Sequence, residues 1–329
     1  FLHLGRLDEA LDSFKSALAL DPNHVSSIMN ANHLAGQLIP AWHVTMLNDQ
    51  QRNEAYFEAI KAVVDEDSSV LDIGTGSGLL SMMATSSGSS SVVTCEASKK
   101  IAEAGTKIIA ANGLSGKVRM INKFSKDLSV GEDCDDRFDI VMSEILSSEY
   151  VGEGVRPTTI DARERLLKPG GRIIPERGEI RAALLGDSDE VRNTISISTV
   201  NQFDVSIFND FTQTKFTLPH GIRPKLLSEA VSVFDICSYT DQGDDRHLKI
   251  GLKACEAGLC LGVIQWIRIH LFEDITYENK PEECSSHWAP QIYVFENPIL
   301  LREGSILDID AYLFKDTVWL RESKTFADS

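Results

Sequence analysis

The chain has 329 residues, of which 43% are hydrophobic and 25% are charged. This composition excludes a generally disordered chain, because enough apolar surface is available to form a core. The net charge of −17 at pH 7 excludes nucleic acid as a default partner, since phosphate binding requires a basic face. An acidic surface favours a basic peptide or protein partner, although solubility alone would also explain the charge.

The six cysteines show neither a Cys-x-x-Cys pair nor the spacing of a disulfide framework. We therefore expect reduced thiols in an intracellular protein, in the cytoplasm and also in the nucleus as an alternative, and we expect no metal site. No apolar run is long enough to cross a bilayer, so the sequence predicts no membrane partner.

Residues 1–40 are the first predicted segment, and we expect them to be helical. Small and apolar residues recur on one helical face between Gly5 and Pro22, and Asp21-Pro22-Asn23 ends the helix. This spacing resembles the second helix of a tetratricopeptide repeat and its terminal proline. One repeat cannot bury its own face, so we expect the first helix of that repeat to precede Phe1. A single amphipathic helix packed on the main domain is the alternative.

Residues 41–175 are the second predicted segment, which begins with one helix over residues 41–60 and then alternates strands with helices. The predicted strands are Ser69–Ile73, Ser91–Cys95, Val118–Ile121, Phe138–Ser143 and one that starts at Arg172. Leu79–Ala84 opens the first predicted helix between them, and Lys99–Asn112 forms the second. Arg163–Leu167 belongs to a third, which is predicted to end at Lys168-Pro169-Gly170-Gly171. Strands separated by helices predict an α/β fold with a doubly wound, Rossmann-like parallel sheet.

Residues 176–329 are the third predicted segment, and in them the apolar period changes to two. Apolar residues alternate with polar ones around Leu248–Leu252, Val263–Leu271 and Ile306–Ala311, and turn residues separate these runs. The pattern predicts an antiparallel sandwich or β-barrel. Residues 187–230 are less regular and are predicted to form an arm inserted into it.

A glycine-rich turn follows the first predicted strand and is the candidate cofactor site. Gly74 and Gly76 let the backbone approach a ligand at the carboxyl edge of the sheet. Glu96 ends the second strand, where a carboxylate can accept both hydroxyls of a ribose. A nicotinamide or flavin site could use similar spacing. Asp72 lies inside the strand, however, and a carboxylate there disfavours a pyrophosphate and favours a phosphate-free cofactor with cationic groups.

Three further motifs give the sequence a family resemblance. Glu144 and Glu153 are nine residues apart after the fourth strand, Ser286-His287-Trp288 lies in the third segment, and Met46-Leu47-Asn48-Asp49-Gln50-Gln51-Arg52 precedes the sheet. With the glycine turn, these motifs resemble those of the protein arginine methyltransferases, from about Trp42 to Leu320. That family has a methyltransferase domain followed by a β-barrel. One departure is Ser286, where the family has Thr.

Two stretches narrow the resemblance within the family. The residues of His43–Asn53 and of Gly152-Glu153-Gly154 resemble members seven and nine more than the other members. Helical repeats before the catalytic module are typical of member nine. Both members carry two methyltransferase modules in tandem. The resemblance therefore implies either a homodimer or a second module beyond the present sequence.

The resemblance also implies roles for individual residues. Glu144 and Glu153 would clamp the planar guanidinium of a substrate arginine, which carboxylates can grip bidentately. Asp49 and His287 would relay a proton, and Met46 and Trp288 would shape the arginine slot. S-adenosylmethionine would be held by the remaining candidate residues, which are Arg52, Asp72, Gly74, Gly76, Glu96 and Ser125.

The implied activity is methyl transfer from S-adenosylmethionine to arginine in a basic protein substrate. A catalytically silent relative, acting as a scaffold for partners, is the alternative. All motif glutamates and glycines are present, which favours the enzyme.

Overall fold

A computed structural model describes residues 1, 4, 6–282 and 286–323. The helices are α1 (Leu7–Leu20), α2 (Val25–Leu38), α3 (Trp42–Leu47), α4 (Gln50–Val63), α5 (Leu79–Ser86), α6 (Lys99–Ala111), α7 (Val155–Asp161) and α8 (Asp189–Ile195). The first strands are β1 (Ser69–Ile73), β2 (Ser91–Cys95), β3 (Val118–Ile121), β4 (Phe138–Ser143) and β5 (Leu167–Ile174). The later strands are β6 (Arg177–Gly186), β7 (Thr199–Val200), β8 (Phe203–Asp204), β9 (Lys215–Thr217), β10 (Val231–Cys237), β11 (Arg246–Lys253), β12 (Gly258–Phe272), β13 (Ile275–Glu278), β14 (Gln291–Leu301), β15 (Ile306–Phe314) and β16 (Thr317–Glu322).

The chain divides into two compact units. Unit 1 comprises Phe1–Ser143 and Leu166–Arg172, and unit 2 comprises Glu144–Arg165 and Ile173–Ser329. The three sequence segments 1–40, 41–175 and 176–329 stay a prediction about modules. The two compact units do not coincide with these segments, because Glu144–Arg165 of the second segment belongs to unit 2.

The first two helices of unit 1 pack against each other. Ala10 and Leu11 of α1 and Leu34 of α2 are buried together, with Phe14 and Leu38 packed at their edge. The predicted helix end is confirmed, since α1 stops at Leu20 and the next residue is extended. The tetratricopeptide interpretation stays a prediction.

The single helix predicted over residues 41–60 was wrong, because α3 and α4 are separate helices. Asp49 is the N-cap of α4, and its Oδ1 accepts a hydrogen bond of 3.0 Å from the backbone N–H of Arg52. Such a cap satisfies one of the free N–H groups at a helix start, which favours a new helix over a continuous one.

The central sheet of unit 1 has the strand order β3-β2-β1-β4-β5. The strands β1 to β4 are parallel and have the predicted bounds, which confirms the α/β, doubly wound prediction. Leu71 of β1 lies beside Val93 of β2 and Val141 of β4, and all three are buried. Their burial explains why these strands are continuous apolar runs.

The strand β5 starts earlier than Arg172, the predicted first residue. It already includes Leu167. Residues 163–166 belong to a helix as predicted, because α7 continues into a π-helical turn over Ala162–Leu166, but that helix ends before Lys168. Gly171 explains the difference. A Cβ there would lie 2.8 Å from the carbonyl oxygen of Asp139 on β4, so this glycine permits close approach between strands rather than ending a turn.

Unit 2 is built from antiparallel sheets, as the period of two predicts. One has the order β10-β6-β12-β14-β9, and another has the order β11-β15-β16. β16 packs against β12 and β14, so the two sheets share a core. Residues 187–230, the predicted arm, contain α8, the β7–β8 hairpin, a 3-10 turn over Ser206–Phe211 and β9.

Three negative findings apply to the described ranges 1, 4, 6–282 and 286–323. No helix there is both long and apolar enough to span a membrane. No group of three or more His, Cys, Asp and Glu side chains there could hold a metal ion. The cysteines of these ranges are free thiols, and Cys284 lies outside them.

We predict that Gly262→Ala destabilises unit 2 by roughly 2–3 kcal/mol, because overpacking against backbone cannot relax. The added Cβ would lie 2.1 Å from the carbonyl oxygen of Tyr293 on the neighbouring strand. Urea unfolding measures the loss. Gly116→Ala is the matched control, since an added Cβ meets no atom within 4 Å there. Equal stabilities of the two variants would contradict this packing.

Candidate functional site

The glycine turn after β1 has the conformation that its sequence requires. Gly74 and Gly76 have φ angles of 84° and 52°, in the left-handed region that favours glycine. The N–H of Gly74 donates to the carbonyl of Cys95 on β2, at 3.0 Å. An added Cβ on Gly76 would meet no atom within 4 Å, so open space lies beside the turn. The turn can therefore accept a ligand against its backbone.

Asp72 is a buried carboxylate directly before this turn. Its side chain is 1% exposed, and its Oδ2 accepts a hydrogen bond of 2.6 Å from the Ser81 hydroxyl of α5. Its Oδ1 is buried without a hydrogen-bond partner. Burial, only partly offset by hydrogen bonds that include the one from Ser81, raises the pKa of Asp72 to about 7. A cationic ligand group would favour the ionised form.

Glu96 is hydrogen-bonded to the backbone of the glycine turn and to that of the residue before α6. Its Oε2 accepts a hydrogen bond of 3.2 Å from the N–H of Gly76, and its Oε1 accepts one of 2.8 Å from the N–H of Ser98. Gly105 of α6, which the sequence analysis did not identify, keeps this region compact. A Cβ there would lie 2.8 Å from the carbonyl oxygen of Gly76. A glycine inside a helical pattern was the available signal.

The motif before the sheet also lies in unit 1. Met46, Asp49 and Arg52 are all buried. The Arg52 guanidinium lies over the Tyr56 ring, 5.3 Å from its centroid, and the Tyr56 hydroxyl donates to the carbonyl of Ser143 at the end of β4. Arg52 is thus placed toward the carboxyl edge of the sheet, where a cofactor carboxylate would bind.

Ser125 is buried at the start of a 3-10 turn, Ser125–Asp127, after β3. Its predicted place beside an adenine stays a prediction. Asp49 has the additional structural role of capping α4, which the sequence analysis missed although Asp before a helix is a capping signal.

The loop between Glu144 and Glu153, here called the glutamate loop, belongs to unit 2. Glu144 directly follows Ser143, and its side chain is partly buried, whereas Glu153 is exposed. Tyr150 and Glu153 have φ angles of 66° and 58°. Each left-handed non-glycine residue costs about 1–2 kcal/mol, so contacts outside the loop must hold this conformation.

Ser147 and Trp288 hold the first half of the glutamate loop. The Ser147 hydroxyl oxygen accepts hydrogen bonds from the N–H groups of Glu149 and Gly152, at 3.2 and 3.0 Å. Trp288 Nε1 donates to the carbonyl of Leu146 at 3.1 Å, and the indole is 4% exposed. Trp288 therefore has a structural role in fixing the loop, while its predicted role in shaping the arginine slot stays a prediction.

His287 stacks at a tilt on Trp288, with 4.1 Å between ring centroids. The Trp288 ring also meets the Tyr277 ring in an edge-to-face contact at 5.8 Å. These contacts fix the position of the His287-Trp288 loop within unit 2. The proton relay that pairs His287 with Asp49 stays a prediction.

The end of the glutamate loop is fixed by a buried ion pair. α7 starts directly after it, and Arg156 of α7 forms a bidentate pair with Asp241, at 2.9 and 3.1 Å. Both side chains are less than 5% exposed. Removal of one partner from such a pair costs about 3–5 kcal/mol, so α7 cannot shift freely.

Comparisons with known proteins agree with this geometry. A family model described as a methyltransferase domain matches residues 70–171, which contain the glycine turn and the glutamate loop. An arginine N(omega)-methyltransferase of Streptomyces achromogenes subsp. streptozoticus is 33% identical over 299 residues, which cover 88% of this chain and 79% of that protein. The chain belongs to the arginine N-methyltransferase family.

The human relative adds a difference in length. Protein arginine N-methyltransferase 9 of Homo sapiens is 37% identical over 330 residues, covering 88% of this chain but only 38% of that protein. The chain thus spans well under half of this relative. The predicted likeness to members nine and seven is confirmed, since relatives of both names match.

A solved structure shares the fold of this arginine N-methyltransferase family member. A chain of the Trypanosoma brucei protein arginine methyltransferase enzyme–prozyme heterotetramer with AdoHcy superposes with a TM-score of 0.73. The match covers 82% of this chain and 87% of that chain, at 19% identity. The predicted methyltransferase domain with a following β-barrel is therefore confirmed, and a nicotinamide or flavin enzyme is not supported.

We predict that Asp72→Asn removes a pH dependence of stability. The folded-state pKa of about 7 lies above that of a free carboxyl, so the folded protein retains a proton that the unfolded chain releases. The stability from this proton is full at low pH and is lost as the pH rises toward 7. The free energy of unfolding of the variant, relative to that of the native chain, should therefore increase by up to a few kcal/mol from pH 5 to pH 8.

Urea unfolding at pH 5, 6, 7 and 8 measures this difference. Asp135→Asn is the control, because Asp135 is exposed. A constant difference between Asp72→Asn and the native chain across this range would show that Asp72 is ionised throughout.

Proposed function

We propose that this chain transfers a methyl group from S-adenosylmethionine to a guanidino nitrogen of arginine in a protein substrate. The observation that carries the proposal is the glutamate loop, which begins and ends with glutamates nine residues apart and whose Leu146 and Glu149 are hydrogen-bonded to other parts of unit 2. A guanidinium is always charged at neutral pH, and paired carboxylates match its planar fork.

The cofactor fits the residues of unit 1. S-adenosylmethionine, when bound, supplies a methyl group on a positively charged sulfonium. Asp72 offers a buried oxygen without a hydrogen-bond donor, and Gly76 leaves open space. Arg52 would hold the cofactor carboxylate, Gly74 and Gly76 would line its methionine part, and Glu96 would accept the ribose hydroxyls. Ser125 would lie at the adenine.

The remaining chemistry belongs to the substrate arginine. Glu144 and Glu153 would orient the guanidinium and concentrate its electron density on one nitrogen for in-line attack, so that positioning supplies most of the acceleration. Met46 and Trp288 would limit the slot. The methylated nitrogen then releases one proton, and Asp49 with His287 would accept it.

The arm supports a proposed partner, which is a second copy of this chain. Its hairpin and 3-10 turn expose large apolar side chains, which are Val200, Phe203, Ile207, Phe208 and Phe211. Exposed apolar groups of this size concentrated in one segment mark an interaction surface. In a longer protein, a second methyltransferase module would take the place of the second copy.

Three further proposals concern the substrate, the N-terminal helices and the location in the cell. The −17 charge supports a basic, arginine-containing protein substrate, because opposite charge speeds capture. The α1–α2 pair supports a helical repeat of the tetratricopeptide type. Free cysteines support a cytoplasmic location, with the nucleus as an alternative.

We predict that Glu144→Gln and Glu153→Gln each lower kcat for an arginine-rich peptide about 100-fold, because a charge-assisted bidentate contact to the guanidinium is lost. Radioactive methyl transfer measures kcat, and calorimetry with S-adenosylhomocysteine should give an unchanged Kd. Glu132→Gln, on an exposed turn, is the control. Full activity in either variant would refute the clamp, and no transfer by the native chain would refute the activity.

We predict that Phe208→Ser combined with Phe211→Ser converts a dimer into a monomer, because burial of these rings drives association. Light scattering over a range of concentrations measures the molar mass. Phe314→Ser is the control, since Phe314 is also largely exposed but lies outside the arm. A native chain that is monomeric at all concentrations would rule out self-association through the arm.

A further inference from the structure

A third glutamate, Glu149, lies midway along the glutamate loop and its carboxylate contacts the strands of unit 2. Glu149 Oε1 accepts hydrogen bonds from the Tyr293 hydroxyl at 3.1 Å and from the backbone N–H of Val318 at 3.0 Å. Lys215 Nζ lies 2.6 Å from the same oxygen. Both side chains of this ion pair are about four-fifths buried, with 20% and 18% exposure.

The three partners of Glu149 come from three different strands. Lys215 is on β9, Tyr293 is on β14 and Val318 is on β16. The Lys215 ammonium also lies 5.2 Å from the centroid of the Tyr293 ring, and it donates to the carbonyl of Val318. One loop carboxylate therefore ties together strands from both sheets of unit 2.

A fourth strand holds the residue before Glu149. Gln265 of β12 is fully buried, and its Nε2 donates to the carbonyl of Ser148 at 3.1 Å. Burial and the charge of Glu149 raise the pKa of Tyr293 well above its usual value, so its hydroxyl remains a donor. The middle of the loop is thus fixed through both a side chain and a backbone carbonyl.

We propose that Glu149 is a positioning residue, whose ion pair with Lys215 and hydrogen bonds to Tyr293 and Val318 hold the glutamate loop so that Glu144 and Glu153 act on one guanidinium. This proposal rests on the proposed function. The geometry separates the three carboxylates by role, because Lys215 of this chain already neutralises the negative charge of Glu149, which is then not left for a substrate guanidinium.

The loop cannot supply this order by itself. Tyr150 and Glu153 are in the left-handed region, and neither is glycine. Tyr150 is also packed so closely on β6 that a Cβ at Gly178 would lie 2.2 Å from its ring. The residue next to the anchor is therefore committed to one position, and release of Glu149 would remove the side-chain anchor beside the strained residue Tyr150.

The test compares Glu149→Ala, Glu149→Gln and Lys215→Met in the full chain, with Glu303→Gln on an exposed turn as the matched control. Glu149→Ala should lower kcat at least 10-fold while the Kd for S-adenosylhomocysteine stays within twofold. Glu149→Gln keeps an oxygen for Val318 and Tyr293, so it should recover part of the loss. Glu149→Gln with Lys215→Met should be no worse than the more impaired single variant, since both remove one ion pair.

Hydrogen exchange followed by mass spectrometry tests the anchor independently of activity. Peptides covering residues 144–154 should exchange at least 10-fold faster in Glu149→Ala than in the native chain, with no change in peptides covering β1 and the glycine turn. Unchanged exchange and unchanged kcat in Glu149→Ala would overturn the proposal. Faster exchange in a chain that transfers no methyl group would refute the proposed function and leave the anchor standing.

Discussion

The glutamate loop places three carboxylates within ten residues of one another in a chain of net charge −17. Like charges brought close together repel one another, more strongly near a protein surface than in water. Tyr150 and Glu153 add backbone strain. Contacts from other parts of unit 2 therefore hold this loop, and on the proposed function Glu144 and Glu153 would depend on those contacts.

This dependence explains why the loop folds with unit 2 although it directly follows a strand of the central sheet. Trp288 binds its first half, Lys215 neutralises the carboxylate at its middle, and Arg156 fixes the helix after it. The residues of the β-barrel predicted from the sequence therefore also hold the glutamate loop in place. On the proposed function, packing changes around Tyr293 would alter the positions of Glu144 and Glu153 through these contacts.

The sequence predicted what short-range pattern determines. β1 to β4 have the predicted bounds because buried parallel strands are uninterrupted apolar runs. The break at Asp49 was missed because a capping carboxylate sits inside an otherwise helical pattern, and Gly171 was misread because a glycine that permits strand contact resembles one that makes a turn. The role of Glu149 was not predictable, since its partners are 66 to 169 residues distant along the chain.

Asp72 in unit 1 and Glu149 in unit 2 are carboxylates in opposite electrostatic environments. Glu149 is already paired with Lys215, and on our proposal this pair holds the glutamate loop before a substrate binds. Asp72 is buried with one oxygen unpaired, and this burial raises its pKa and disfavours the ionised form. A cationic cofactor would recover this cost on binding, so the same carboxylate that weakens the unliganded protein would strengthen its affinity for the ligand. On the proposed function, stability and cofactor binding would therefore oppose each other at Asp72, as is common at binding sites.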